Sequence, residues 1–448
     1  MGERARAYTM RSRRSRAVWL IVLAAGTTYY YFGLFLPQVR AVRTAKELYG
    51  PYTYGGDFYP VWLTSRELLF HRGNPYSRGM TRQIQAGFFG RPLEARKASD
   101  PPANSRAFSY PLYVDFLAAP AAFLSFRTLQ YMGAVAFPLL IAASVILWFR
   151  GLGIPALDSI ASWVALVLIS YPVLEGLYAL QVSVIVFFLV SASVAAIAAA
   201  RYGVAGVLLA LATGKPQLSA LLILLLLAWV FADWRSRRRL VFTFALAILV
   251  FLIVSFAVMP GWFSEWWRAL LEYRGRTEPA PLAQLLFGKY AGGVLEIMLL
   301  GWLVWIAWKA RQLPFTSPGF TLAIATVLAV TVILVPSSVA VYDHVLLLPG
   351  LLWLWHHRNS AGRRPAVRWL LGIMWLALAW QWLAASGVSA ASLIWPALRN
   401  HAIVILLPLR TAPALPFVVA AALGIAALKR FARSQKQAPA SLSAAESA

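Results

Sequence analysis

The chain has no cysteine, which removes disulfides, thiolate metal sites and a cysteine nucleophile from consideration. Charge is scarce too: 13% of the 448 residues are Asp, Glu, Lys or Arg, about half the share of a soluble domain. Acids are the rarer sign, 16 against 41 Lys and Arg, so the formal net charge is +25. What is abundant is apolar surface, 60% of residues, with a mean hydropathy of +0.67. This balance excludes a water-soluble globule, a disordered chain and a coiled coil. The basic surplus has its simplest home in loops flanking lipid, so no nucleic-acid partner is expected. The class that remains is an all-α integral membrane protein with many spans.

The first apolar run, residues 17–36, follows a basic tail (1–16) carrying Arg4, Arg6, Arg11, Arg13, Arg14 and Arg16. No small-residue cleavage site follows, and Tyr29, Tyr30, Tyr31 and Phe32 resemble an interfacial aromatic belt. The run is read as a retained helix with a cytoplasmic N-terminus. Eleven further apolar segments lie between residues 128 and 428. Several are shorter than the ~20 residues that cross ~30 Å of hydrocarbon, which is tolerated where a helix faces protein or a water-filled cavity. Basic clusters at 235–239, 309–311, 358–368 and 429–430 are assigned to the cytoplasm. Alternation then places residues 175–181, Lys215, 261–289 and 336–343 outside. Residues 111–126 are read as a re-entrant or interfacial hairpin, which leaves about twelve crossings. Whether 386–413 crosses stays open. The transmembrane domain spans 17–430, and 431–448 reads as a disordered cytoplasmic tail.

The first external loop, 37–109, is too long for a connector and is expected to be functional. It carries eleven Lys or Arg against five acids, a balance that suits phosphate-bearing lipids or anionic headgroups in general. Within it, Gly55-Gly56-Asp57-Phe58-Tyr59-Pro60 precedes an amphipathic stretch, 61–70, that ends at His71-Arg72-Gly73-Asn74-Pro75-Tyr76. Asp57 reads either as a helix N-cap or as a carboxylate poised as general base. Lys215-Pro216 opens a later helix. Leu209 stands where a phosphate loop has its first glycine, so nucleotide binding is discarded. Lys215 is either a phosphate-holding ammonium or a snorkelling side chain. Tyr342-Asp343-His344 begins a short helix, with Asp343 a cap or a ligand contact. Glu175 and Gln181 bracket a tight external turn; Asp115, in the 111–126 hairpin, and Glu296, one to two turns inside its helix, are further intramembrane acids of interest. The five histidines show no metal-ligand spacing, and neither a metal nor a cofactor is expected.

The order of these features resembles the polyprenol-phosphate-dependent glycosyltransferases of family 87, in the GT-C superfamily. The similar elements are the early Asp-Phe before an amphipathic helix, Gly73-x-Pro75-Tyr76, Tyr110-Pro111, Lys215-Pro216, and the late Tyr-Asp-His before a helix with Pro349. Tyr110-Pro111-Leu112 lacks the family's frequent second proline, and Asp343 replaces another polar type. The resemblance implies a GT-C-like bundle and an inverting transfer, commonly of mannose. The donor is a polyprenyl-phosphate-linked sugar, the acceptor a glycan or glycolipid, and the site faces outward from the inner or plasma membrane. Asp57 would be the catalytic base. Lys215 with Arg66 or Arg72 would hold the donor phosphate. His344, Asp343, Tyr342, Glu175, Gln181 and Tyr59 would contact donor or acceptor. The rivals are a secondary transporter and a lipid flippase. No similarity between halves is visible, and the candidate polar residues gather at the external face rather than at mid-bilayer, both unlike such transporters.

Overall fold

A computed structural model describes residues 3–93, 100–101, 105–155, 157–277, 280–335, 340–358 and 365–445; among these the architecture is all-helical. The chain opens with α1 (Glu3–Thr28), loosens into a π-helical stretch at Tyr29–Phe35, and continues as α2 (Leu36–Ala45). The tyrosines there are no lipid-facing belt. Tyr30 and Tyr31 are fully buried, packed with Phe35 on Tyr171, and only Phe32 of the set is exposed. The loop then folds into α3 (Tyr59–His71) and α4 (Arg78–Phe89), in line with the amphipathic pattern. The ambiguous apolar stretch forms two short pieces, α5 (Tyr113–Leu117) and α6 (Ala119–Ala122). Neither is long enough to cross a bilayer.

The bundle follows with α7 (Phe126–Gly151), α8 (Ile160–Leu168), α9 (Tyr171–Ala179), α10 (Val182–Ala198), α11 (Tyr202–Ala212), α12 (Pro216–Phe231) and α13 (Trp234–Val258). It goes on through α14 (Trp262–Thr277), α15 (Leu282–Phe287), α16 (Lys289–Ala310), α17 (Pro318–Leu334) and α18 (Leu348–His356). The last elements are α19 (Pro365–Ile394), α20 (Ala402–Ile405), α21 (Leu407–Thr411) and α22 (Leu415–Ala445). Among the described residues, six helices are long and apolar enough to span a membrane, or seven if α8 and α9, bent by 65° at their junction, make one span. α10, α11, α12 and α17 are shorter apolar helices. The undecided region 386–413 is divided between the end of α19 and the small turns before α22. The α22 backbone runs on through most of the tail expected to be disordered, because Ala, Lys, Arg and Gln favour helix once one is started.

Hydropathy and burial explain the layering. α17 is buried on all sides from Gly319 to Ile333 and is the central post, packed by α12, α18 and α22. α13 has the highest mean hydropathy of the spans, 2.9, yet only 6% of its window is buried, so it faces lipid. Contacts sort the helix ends into two sets. At one end, Trp229 meets Phe315, Arg237 reaches the Arg311 carbonyl, and Arg430 lies against Gly319. At the other, the Tyr113 hydroxyl donates to the Thr213 carbonyl, Trp266 to Ser109, and Ser183 to Asp343. The loop carrying α3 and α4 covers this second end: Gln130 Nε2 donates to Tyr54 O at 2.6 Å and Trp62 Nε1 to Leu124 O at 3.0 Å.

Candidate functional site

Asp57 is positioned by the end of a neighbouring helix. The last carbonyls of α9 have no partner inside their own helix. Those of Tyr178 and Ala179 accept from the backbone N–H of Gly55 at 2.9 Å and of Asp57 at 3.1 Å. The Gly55-Gly56 turn is strapped down in this way, and glycine is needed there. Gly55 has φ of +70°, and a Cβ on Gly56 would sit 2.2 Å from the Phe88 ring. α3 starts at Tyr59 with Phe58 in the N-cap position, so the capping alternative for Asp57 is overturned. Its carboxylate instead accepts from Gln181 Nε2 at 2.7 Å and pairs with the Arg106 guanidinium. Arg106 has φ of +66°, and Leu180, beside Gln181, has φ of +48°. Such backbones cost of order 1 kcal/mol or more in a non-glycine residue and cluster where function over-determines the geometry.

Around Asp57 opens a cavity of about 420 Å³. Its wall carries three guanidiniums, Arg40, Arg43 and Arg106, and a second carboxylate, Glu175. Arg43 and Arg106 lie 4.6 and 3.8 Å from the Phe88 ring centroid, and Arg43 also donates to the Phe88 carbonyl at 2.6 Å. Glu175 accepts from the Tyr31 hydroxyl at 2.7 Å. Three cations against two carboxylates leave room for one anionic group beside a base. No family model, no curated protein and no solved structure matches this chain. The chemistry of the site is therefore read from its residues.

Lys215 sits in a second cluster. Its Nζ donates to Ser183 Oγ at 2.5 Å and to Asp343 Oδ1 at 3.1 Å, and lies 5.0 Å from the Tyr342 ring centroid. Ser183 Oγ donates to the same Asp343 oxygen at 2.6 Å. Lysine and aspartate are both buried. The ammonium is neutralised here and does not line the Asp57 cavity. Asp343 is no cap either, since Ala340 precedes its 3₁₀ helix, Val341–Leu347. Gln181 and Ser183, at the start of α10, join the two clusters.

The other expected residues lie elsewhere. Arg66 donates to the Ala122 carbonyl at 2.9 Å, and Arg72 ends α3 in a left-handed conformation; neither lines the cavity. Tyr59 is buried against Tyr52, Trp62 and Phe126. Burial and the neighbouring Tyr52 push its hydroxyl up to about 12, and it does not line the Asp57 cavity. His344 lines a different, largely apolar cavity of about 340 Å³ with Tyr171, and its Nδ1 has no partner among the described residues. Glu296 is bonded to Gln284 at 3.0 Å, far along the chain from this site. Among the described residues no group of three His, Asp or Glu is arranged to hold a metal. Arg106, Arg40 and Arg43 are the residues that sequence reading did not single out. They are three of eleven basic loop residues, with no local pattern to mark them.

Proposed function

We propose that the chain is an inverting glycosyltransferase. It moves a sugar, mannose first among the candidates, from a polyprenyl-phosphate-linked donor to a glycan or glycolipid acceptor. The observation that carries this reading is one cavity, at the boundary of bundle and loop, that holds both a fixed aspartate and three arginines. The basic helix ends then lie in the cytoplasm and the loop end outside, with about twelve crossings of the inner or plasma membrane.

In this reading the acceptor hydroxyl oxygen attacks the anomeric carbon and its proton passes to Asp57. The bond from that carbon to the phosphate oxygen breaks, and the polyprenyl phosphate leaves with the electron pair. Attack opposite the leaving group inverts the centre. Arg106, Arg43 and Arg40 meet the charge that develops on the phosphate, as preorganised donors do. Arg106 both pairs with Asp57 and lines the cavity. A bound phosphate competes for its guanidinium and frees the carboxylate to accept the proton. Lys215 serves by holding Asp343 and the start of α10, from which Gln181 orients the base.

The test uses proteoliposomes holding the purified chain, polyprenyl-phosphate mannose with a radiolabelled sugar, and a membrane glycolipid extract. Label moving from donor to a new glycoconjugate supports the reading. Label that stays on the lipid while lipid or solute crosses the bilayer identifies a flippase or transporter instead.

A further inference from the structure

A cluster of charge unpaired among the described residues lies at the opposite end of the molecule from Asp57. Gln181, which holds Asp57, is the N-cap of α10; Arg201 follows its end. The 17 residues of α10 separate the two, about 25 Å of helix. There Arg201 precedes the first residue of α11, and Arg235, Arg238 and Arg239 lie in the first two turns of α13. These two helices pack side by side, and their N-terminal ends frame a cavity of about 660 Å³ lined by all four arginines and Ser236.

Three observations set this cluster apart from ordinary charge flanking a membrane. First, three other arginines at this end are engaged. Arg237 donates to the Trp229 carbonyl, Arg311 to Trp308 and Arg358 to Trp355. The side chains of Arg201, Arg235, Arg238 and Arg239 have no partner among the described residues. Asp233, the acid nearest in sequence, is taken up by Ser236 and Arg237. Second, cations crowd the positive ends of two helix dipoles, an unfavourable placement that an anion reverses. Third, the cavity opens beside a lipid-facing surface: Val204 and Val207 of α11 and Phe242 and Leu246 of α13 are exposed and apolar. A soluble anion has no use for that flank, whereas acyl chains do.

We propose that this cavity is a binding site for the phosphate headgroup of an anionic phospholipid, with its chains along α11 and α13. The site is independent of the transfer chemistry proposed for the other end. The test reconstitutes the full chain in nanodiscs of phosphatidylcholine containing a few per cent of cardiolipin, and counts retained cardiolipin by native mass spectrometry. Replacing Arg235, Arg238 and Arg239 together by Gln is expected to weaken retention roughly a hundredfold, the product of about fivefold for each arginine at an anionic surface. Arg201→Gln alone, at an exposed position outside the α13 turn, is expected to weaken it about fivefold. A control with Lys309, Lys429 and Arg430 changed to Gln removes equal charge from the same end of the bundle and is expected to lose less than about threefold. Equal losses in control and site variants would overturn the proposal, as would unchanged retention in both site variants. Displacement of the lipid by inorganic diphosphate at equal concentration would overturn the lipid assignment in favour of a soluble phosphate ligand.

Discussion

Lys215 and Asp343 face each other across Ser183 with under a tenth of either side chain exposed. A buried pair of this kind contributes little net stability when intact, but removing one partner strands the other charge at a cost of about 3–5 kcal/mol. Lys215→Met should therefore lower the melting temperature in detergent sharply, and Lys215→Met with Asp343→Leu should recover most of the loss. If the single and double variants are equally unstable, the two side chains are not coupled. Asp115 offers a second test. It is fully buried, accepts from Thr64 and Ser65, and desolvation pushes its carboxyl from 3.8 up to about 8. The neutral form is the one the fold accommodates. Its stabilising contribution is complete below the unfolded value, drains away as pH rises through 8, and is constant beyond. Asp115→Asn cannot titrate, so its melting temperature should decline less than that of the parent between pH 5 and 8; parallel curves would contradict this. At this scale Asp57 could be picked out from sequence because a glycine pair and a helix start surround it. Arg106 could not, since its contact with Asp57 spans 49 residues of loop with no repeating pattern. Lys215 was visible as a lone cation among apolar segments, but its partner lies 128 residues on, and nothing local says that its charge is already neutralised.

Among elements, the packing of α11 against α13 turns on one residue. A Cβ on Gly206 would lie 2.2 Å from Thr243 Oγ1 and 2.4 Å from the Leu240 carbonyl oxygen. Backbone cannot give way as a side-chain tip can, so Gly206→Leu should force the helices apart and lower stability by about 1–3 kcal/mol, read as a melting shift in detergent. Thr243→Ala should be close to neutral. A harmless Gly206→Leu would mean the helices do not approach so closely. Helix positions were readable from the apolar runs, because a membrane helix must satisfy every backbone group internally. Helix ends were not. The first run was read as 17–36 but its span extends to Ala45, and the last apolar segment, ending at 428, continues as helix to Ala445. Hydropathy stops where charge begins, whereas Arg, Lys and Ala carry a helix onward. The tyrosines at 29–31 misled for a related reason: aromatics at a span's end fit an interface or a packed core equally well.

Across the whole molecule, the account requires two chemically distinct ends. The basic helix termini gather at one, and Asp57, Lys215 and Asp343 at the other beneath the α3–α4 loop. Because the chain has no cysteine, each introduced thiol reports alone. An impermeant maleimide on intact cells should label Ser264→Cys, between α13 and α16, and leave Ser236→Cys unlabelled until the membrane is opened; the reverse pattern would turn the molecule over. The central claim, that Asp57 takes the acceptor's proton, is met most directly by comparing turnover of Asp57→Asn with the parent on a lipid-linked sugar. Asparagine keeps the shape, with its oxygen still accepting from Arg106 and its NH2 donating to Gln181 Oε1 once that amide turns over, but it cannot act as a base. We expect sugar transfer to fall by about 10²–10⁴ with an unchanged melting temperature, and retention of near-parental turnover by this variant would contradict the account.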